Sequence, residues 1–280
     1  MIGGGLPAAP PADRAPDGPI HPGSGRRFEL RRLLAPFAAL GVLLAKFKGV
    51  LLLLPKIKLL TTSGSMLVSV AAYSLIWGWR FAIGFVLLLL VHEMGHVLQL
   101  RREGIKASAP MFIPFLGAVI AAKSLGRNAL AEARVGLAGP LVGSAAAAAL
   151  LPIATATDSN LLRALAFTGF FLNLFNLLPV VPLDGGRAMA ALSPVMWFAG
   201  FAGLAALAFV FPNPIILLIV LFGAMETWRR WQARSTPEAQ EYYRVAPRDR
   251  VMVAVVYLGL AALLVFGMHQ THIGRDFGDV

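Results

Sequence analysis

The chain of 280 residues is strongly apolar: hydrophobic residues make up 58% of it, charged residues 14%, and its mean hydropathy is +0.72. These values exclude an ordinary soluble domain and indicate a polytopic membrane protein. The absence of cysteine excludes disulfides and thiolate metal sites, and the net charge of +11 comes with no soluble basic face for nucleic acid.

The N-terminal part divides into two segments before the membrane core. Residues 1–25 are rich in Gly, Pro and Ala and lack the apolar region of a signal peptide, so we predict a disordered tail. Residues 26–58 are basic and contain Pro55, which favours a segment lying along the membrane surface. We expect a membrane core at 59–228, a basic cytoplasmic connector at 229–250, and a further transmembrane helix with a tail at 251–280.

Seven later segments are long or apolar enough to cross a bilayer. They run approximately over residues 59–79, 81–100, 131–151, 161–183, 193–211, 215–228 and 251–268. The sequence therefore predicts an all-α polytopic membrane protein with about six to seven transmembrane helices. Basic residues collect in three of the intervening regions, which alternate correctly if the N-terminus is cytoplasmic.

A two-histidine motif, His92-Glu-Met-Gly-His96, lies near the end of the second apolar segment. Residues four apart share one helix face, so His92 and His96 can bind the same metal ion. Glu93 falls beside them, where a carboxylate can take a proton from metal-bound water. The alternative is a polar cluster that only joins helices, although that role does not require histidines at one-turn spacing.

A catalytic zinc keeps three protein ligands and one open position, so a third ligand is needed. Asp184 and Glu226 are the acidic candidates predicted at the same membrane depth. Asp184 follows a segment interrupted by Pro179 and Pro182, and irregular backbone within a membrane must be buried in protein or line a cavity. Glu226 has arginines at i+3 and i+4, which favours an interfacial ion pair. We therefore favour Asp184.

Two motifs together resemble those of the site-2 protease family of intramembrane zinc metalloproteases. They are His92-Glu-Met-Gly-His96 and Asn176-Leu-Leu-Pro-Val-Val-Pro-Leu-Asp184-Gly-Gly. A third stretch, residues 132–143 with Gly139-Pro140, is similar to the family's third core helix. The resemblance covers about residues 59–228 and indicates a compact form without PDZ or C-terminal sensor domains.

The resemblance also implies roles for individual residues. It implies that one zinc ion per chain is bound by His92, His96 and Asp184, with Glu93 as the catalytic carboxylate. Asn176 matches an asparagine of the family that is thought to contact substrate. Asn173, one turn earlier, is the second substrate-binding candidate.

An apolar segment at residues 109–122 is too broken by Pro110, Pro114 and Gly117 to form a spanning helix. The resemblance implies a re-entrant β-hairpin at this place, and a simple interfacial loop is the alternative. An extended edge beside the metal can bind an unwound substrate as an added strand. We therefore include Gly117 among the substrate-binding candidates.

The function implied by the resemblance is hydrolysis of single-span membrane proteins near the cytoplasmic side, in regulated intramembrane proteolysis. Expected substrates are anti-sigma factors or signal-peptide remnants. The protein itself is expected to be a multi-pass plasma-membrane protein whose active site lies towards the cytoplasm. No nucleic-acid partner is expected. Two alternatives stay open: a zinc-binding membrane protein for transport, storage or scaffolding, and a CAAX-type membrane metalloprotease, which takes glutamate as its third ligand.

Overall fold

The computed structural model describes residues 62–122, 124, 126–193, 195–211 and 213–272. The tail predicted at 1–25 and the basic segment at 26–58 lie outside these residues. Within them the chain forms nine helices and one two-stranded antiparallel sheet. In chain order these are α1 (Thr62–Trp77), α2 (Trp79–Arg102), β1 (Met111–Ile113), β2 (Gly117–Val119), α3 (Ala129–Ala156), α4 (Asn160–Asn176), α5 (Asp184–Leu192), α6 (Val195–Val210), α7 (Pro214–Ala233), α8 (Pro237–Tyr242) and α9 (Pro247–Thr271).

The membrane character of the fold is carried by its long apolar helices. Among the described residues, α2, α3 and α9 are long and apolar enough to cross a membrane, and α1 and α6 are shorter apolar helices. The chain is thus a mostly helical integral membrane protein with a small sheet, and the expected count of six to seven crossings stays a prediction. Local signals set several helix starts: Asn128 and Ser159 accept main-chain hydrogen bonds at the N-termini of α3 and α4.

The predicted interruption by Pro179 and Pro182 is present, because α4 ends at Asn176 and α5 begins only at Asp184. The connecting backbone turns tightly, with the Leu183 N–H donating to the Val180 carbonyl over 2.8 Å. A carbonyl left free at the end of α4, that of Leu177, accepts a hydrogen bond from the Tyr257 hydroxyl of α9. Neighbouring helices thus satisfy the broken backbone inside the protein.

Residues 109–122, where the resemblance implies a β-hairpin, contain β1 and β2, paired with Ile113 opposite Gly117. Helix α1 holds the outer edge of β1 and the turn after it: the Phe112 N–H of β1 donates to the Ser65 hydroxyl, and the Phe115 N–H of the turn donates to the Tyr73 hydroxyl, both over 3.0 Å. Strand β2 packs against α2. The hairpin is therefore held between α1 and the helix that carries the histidines.

A buried charge cluster joins the start of α3 to the C-terminal helices. Glu132 is 1% exposed and accepts hydrogen bonds from Arg230 over 2.8 and 3.3 Å and from the Tyr242 hydroxyl over 2.7 Å. Arg230 also pairs with Glu226 and lies over the ring of Trp197. This cluster connects α3, α6, α7 and α8 at one end of the helix bundle.

Trp197 links this charge cluster to α5, the helix that begins with the candidate ligand Asp184. Its indole N–H donates to the Gly186 carbonyl over 2.7 Å, and its side chain is almost fully buried. Gly186 lies two residues after Asp184 in α5. The charge cluster and the first turn of α5 are therefore one packed unit.

Candidate metal centre

Three side chains converge from two helices at the candidate metal centre. His92 and His96 project from one face of α2, and Asp184 is the first residue of α5. The Nε2 atoms of the two histidines lie 3.2 Å apart, and each lies 3.1 Å from Asp184 Oδ2. All three residues are buried.

The separations fit one tetrahedral ion. Ligand atoms at about 2.0–2.1 Å from zinc in a tetrahedral arrangement lie roughly 3.3–3.4 Å from one another, and the three observed separations are just below this. The donor set of two imidazoles and one carboxylate is also a typical one for zinc that keeps an open position. Among the described residues, this is the group of His, Asp and Glu side chains that can hold a metal ion.

The second nitrogen of each histidine is engaged as well. His92 Nδ1 lies 2.8 Å from Asn173 Oδ1 of α4, and His96 Nδ1 lies 2.7 Å from the Val135 carbonyl oxygen of α3. Both partners are acceptors, so each Nδ1 carries the hydrogen and each Nε2 has a free lone pair. The two rings therefore present metal-binding nitrogens towards Asp184.

Close packing of α2 against α3 depends on a small residue beside the second histidine. A Cβ at Gly139 would overlap the ring of His96 at Nε2. Glycine leaves the space that this imidazole occupies. The Gly139-Pro140 stretch singled out in the sequence thus lies directly against the candidate metal centre.

Glu93 and Arg187 are charged residues that border the three ligands. Glu93 is half-buried and interacts electrostatically with both histidines, Asp184 and Arg187. The Arg187 guanidinium lies 3.8 Å from Asp184 Oδ1, the carboxylate oxygen that faces away from the histidines. Asp184 therefore offers Oδ2 towards the metal position, while Oδ1 faces a cation.

The remaining candidates from the sequence lie outside this triangle. Glu226 is paired with Arg229 and Arg230, at 2.7 and 2.8 Å, as its i+3 and i+4 spacing indicated. Asn176 is half-buried, and its amide donates to the Leu172 carbonyl over 3.1 Å. Gly117 opens β2 with a positive φ of 89°.

Several contacts at the centre were not foreseen from the sequence. The Val135 contact uses a main-chain carbonyl and leaves no sequence signal. The hydrogen bond from His92 to Asn173 joins positions 81 residues apart. Arg187, by contrast, follows directly on the Asp184-Gly-Gly motif, and its charge was a usable signal.

Comparison with known proteins finds a family that part of this chain resembles. Residues 80–159 and 152–197 match the model of peptidase family M50, which confirms the resemblance to the site-2 protease family over somewhat less than half of the chain. Residues 80–197 are thus similar to peptidase family M50.

Individual relatives agree with the family match. The zinc metalloprotease MJ0392 of Methanocaldococcus jannaschii is 30% identical over 162 residues, which are 56% of this chain and 46% of that protein. Rip3 of Mycobacterium tuberculosis, also named as a zinc metalloprotease, is 30% identical over 135 residues, 44% of this chain and 34% of its own length. The chain spans less than half the length of these relatives. Zinc is the metal that the family and the donor set assign to the centre.

Proposed function

We propose that the protein is an intramembrane zinc endopeptidase that cleaves single-span membrane proteins near the cytoplasmic side. The observation that carries the proposal is the convergence of His92, His96 and Asp184 to within 3.1–3.2 Å beside Glu93. The two histidines lie on a helix long and apolar enough to cross a membrane. Ionisable groups within a membrane-spanning helix are energetically costly and mark functional sites.

The distribution of basic residues supports a cytoplasmic position for the centre. Helix α2 ends in Arg101 and Arg102, and the Glu103 carbonyl that follows accepts a hydrogen bond from Arg127. The pair of Arg230 and Glu132 brings the end of α7 to the start of α3. Three arginine-containing regions thus lie at one end of the bundle, and cytoplasmic loops are the ones that collect basic residues.

The chemistry of peptide hydrolysis can be assigned to the residues present. His92, His96 and Asp184 would hold the zinc ion, which when bound supplies Lewis-acid activation of water and of the scissile carbonyl. The Glu93 carboxylate accepts the proton of the attacking water and returns it to the leaving amine. Arg187 holds the Asp184 carboxylate in its orientation.

The hairpin offers a place for an unwound substrate. Because the Phe112 N–H points to Ser65, the pair formed by Phe112 and Ala118 is a non-hydrogen-bonded pair of the sheet. The alternation of antiparallel pairing then turns the N–H and C=O of Ala118 away from β1. We infer that a substrate strand adds at this edge of β2, next to α2, since α1 already covers the edge of β1.

The identity of the substrates is proposed from the family resemblance. Membrane-tethered anti-sigma factors and signal-peptide remnants are the two classes, both in a plasma membrane. Each presents one transmembrane helix whose peptide bonds must leave their own hydrogen-bond ladder before hydrolysis.

The test is reconstitution of the purified chain in lipid vesicles with single-span substrates of both classes. Glu93→Gln is expected to keep zinc and lose cleavage, because Glu93 is not a ligand. Glu238→Gln, on the exposed surface of α8, is the matched control and should cleave like wild type. Equal cleavage by the Glu93 variant would refute catalysis at this centre, and zinc binding without any cleavage by wild type would favour zinc transport, storage or scaffolding.

A further inference from the structure

Asn173 has both ends of its side-chain amide committed inside the protein. It is 2% exposed, and its Nδ2 donates to the Gly169 carbonyl of its own helix over 2.7 Å. Its Oδ1 lies 2.8 Å from His92 Nδ1. Because the amino end already has its acceptor, the oxygen end is the one that faces the histidine.

This orientation determines which ring nitrogen of His92 carries the hydrogen. A carboxamide oxygen can only accept, so the hydrogen must lie on His92 Nδ1. The other ring nitrogen, Nε2, then carries the lone pair and points to His96 Nε2 and Asp184 Oδ2. Partners of this kind fix the tautomer and the orientation of a metal-binding histidine.

The position of Asn173 in turn depends on the helix opposite. A Cβ at Gly143 of α3 would come within 2.5 Å of Asn173 Oδ1. Any larger residue at 143 therefore displaces the acceptor that His92 uses. Gly143 lies one turn after Gly139. Gly139 makes room for the ring of His96, and Gly143 makes room for the amide that binds His92.

We propose that Asn173 is a positioning residue of the metal centre, with Gly143 providing the space it needs, and that it does not bind substrate. Asn173 sets the tautomer and ring orientation of His92 from α4. This inference rests on the zinc site of the proposed function. It gives α4 a part in metal binding that acts through His92, beyond the ligands that α2 and α5 provide.

The test measures zinc affinity of the purified full-length chain by chelator competition, without any substrate. Asn173→Leu keeps the size of the side chain, removes the acceptor, and is expected to weaken zinc binding by about 10–100-fold. Asn173→Asp keeps an acceptor and should bind zinc at least as tightly as wild type. Gly143→Ala should weaken binding in the same direction, while Gly259→Ala, whose new Cβ meets nothing within 4 Å, is the matched control and should not.

A kinetic readout separates positioning from substrate binding. At saturating zinc, positioning predicts an unchanged KM for Asn173→Leu, whereas a substrate role predicts a raised KM with normal zinc affinity. The inference is overturned by that second pattern, or by wild-type zinc affinity in both Asn173→Leu and Gly143→Ala. If Asn173→Leu fails to fold, Gly143→Ala decides alone against Gly259→Ala. The Glu93→Gln experiment is independent, so a chain can show this zinc pattern and cleave nothing, or cleave without it.

Discussion

Loss of Arg230 should destabilise the fold because it leaves a buried carboxylate without its cation. Glu132 is 1% exposed, and the Arg230 side chain that pairs with it is 14% exposed. Removing one partner of such a buried pair costs about 3–5 kcal/mol. In Arg230→Gln the Tyr242 hydroxyl still donates to Glu132, so we expect a loss near the lower limit, about 3 kcal/mol.

The hydrogen bond from Tyr242 gives this prediction an internal comparison. Burial, together with the Glu132 carboxylate, raises the pKa of Tyr242, so its hydroxyl stays protonated and donates. Tyr242→Phe should therefore lose about 1.5–3 kcal/mol, the range for a hydrogen bond to a charged group. The double variant Glu132→Gln with Arg230→Gln should be more stable than Arg230→Gln alone, since no buried charge is left unpaired.

The assay is unfolding in mixed detergent micelles, followed by circular dichroism. Arg244→Gln is the matched control: its ion pair with Glu241 is largely exposed, so its stability should stay within about 1 kcal/mol of wild type. A loss for Arg230→Gln no larger than that of this control would refute the reasoning. So would a double variant less stable than the single one.

Two further predictions concern the third ligand and the hairpin. Asp184→Ala should lose zinc while Glu226→Ala keeps it, measured as metal content after dialysis. Full zinc retention by the Asp184 variant would refute the ligand assignment and favour the CAAX-type alternative. Ser65→Ala removes the acceptor of the Phe112 N–H in β1, and Tyr73→Phe removes the acceptor of the Phe115 N–H in the turn that follows. Each should lower cleavage with zinc affinity unchanged, measured on the same vesicles. Zinc loss in both would contradict the separate roles of hairpin and metal centre.

Much of the fold could be predicted from local patterns. The apolar run that predicts a helix at 81–100 corresponds to α2, and the proline pair predicts the break before α5. Helix periodicity puts His92 and His96 on one face because that relation is local. The same reasoning cannot count membrane crossings where helices are short, as in α1 and α6, since the length and apolarity of such a helix do not decide whether it crosses the membrane.

The parts that escaped prediction depend on how distant helices are rotated against each other. Asn173 was grouped with Asn176 by its place in the sequence, but only the packing of α4 against α2 turns it towards His92. Glu132 carried a signal that was available: it is the only acidic residue in α3, and a charge in such a helix requires a partner. Its partners lie about 100 residues further along the chain, so no local pattern identifies them.

The shortness of β2 limits how much of a substrate has to unfold in the proposed strand addition. With three residues, Gly117–Val119, the strand spans about 10 Å and can pair with a stretch of about the same number of residues. A bound helix therefore has to lose only about one turn, and the cost of that loss depends on which residues form the turn. Glycine lowers helix stability by about 1 kcal/mol and proline by about 3 kcal/mol relative to alanine. The proposed strand addition therefore predicts that transmembrane segments already weak at one turn are cleaved fastest, whatever their sequence elsewhere.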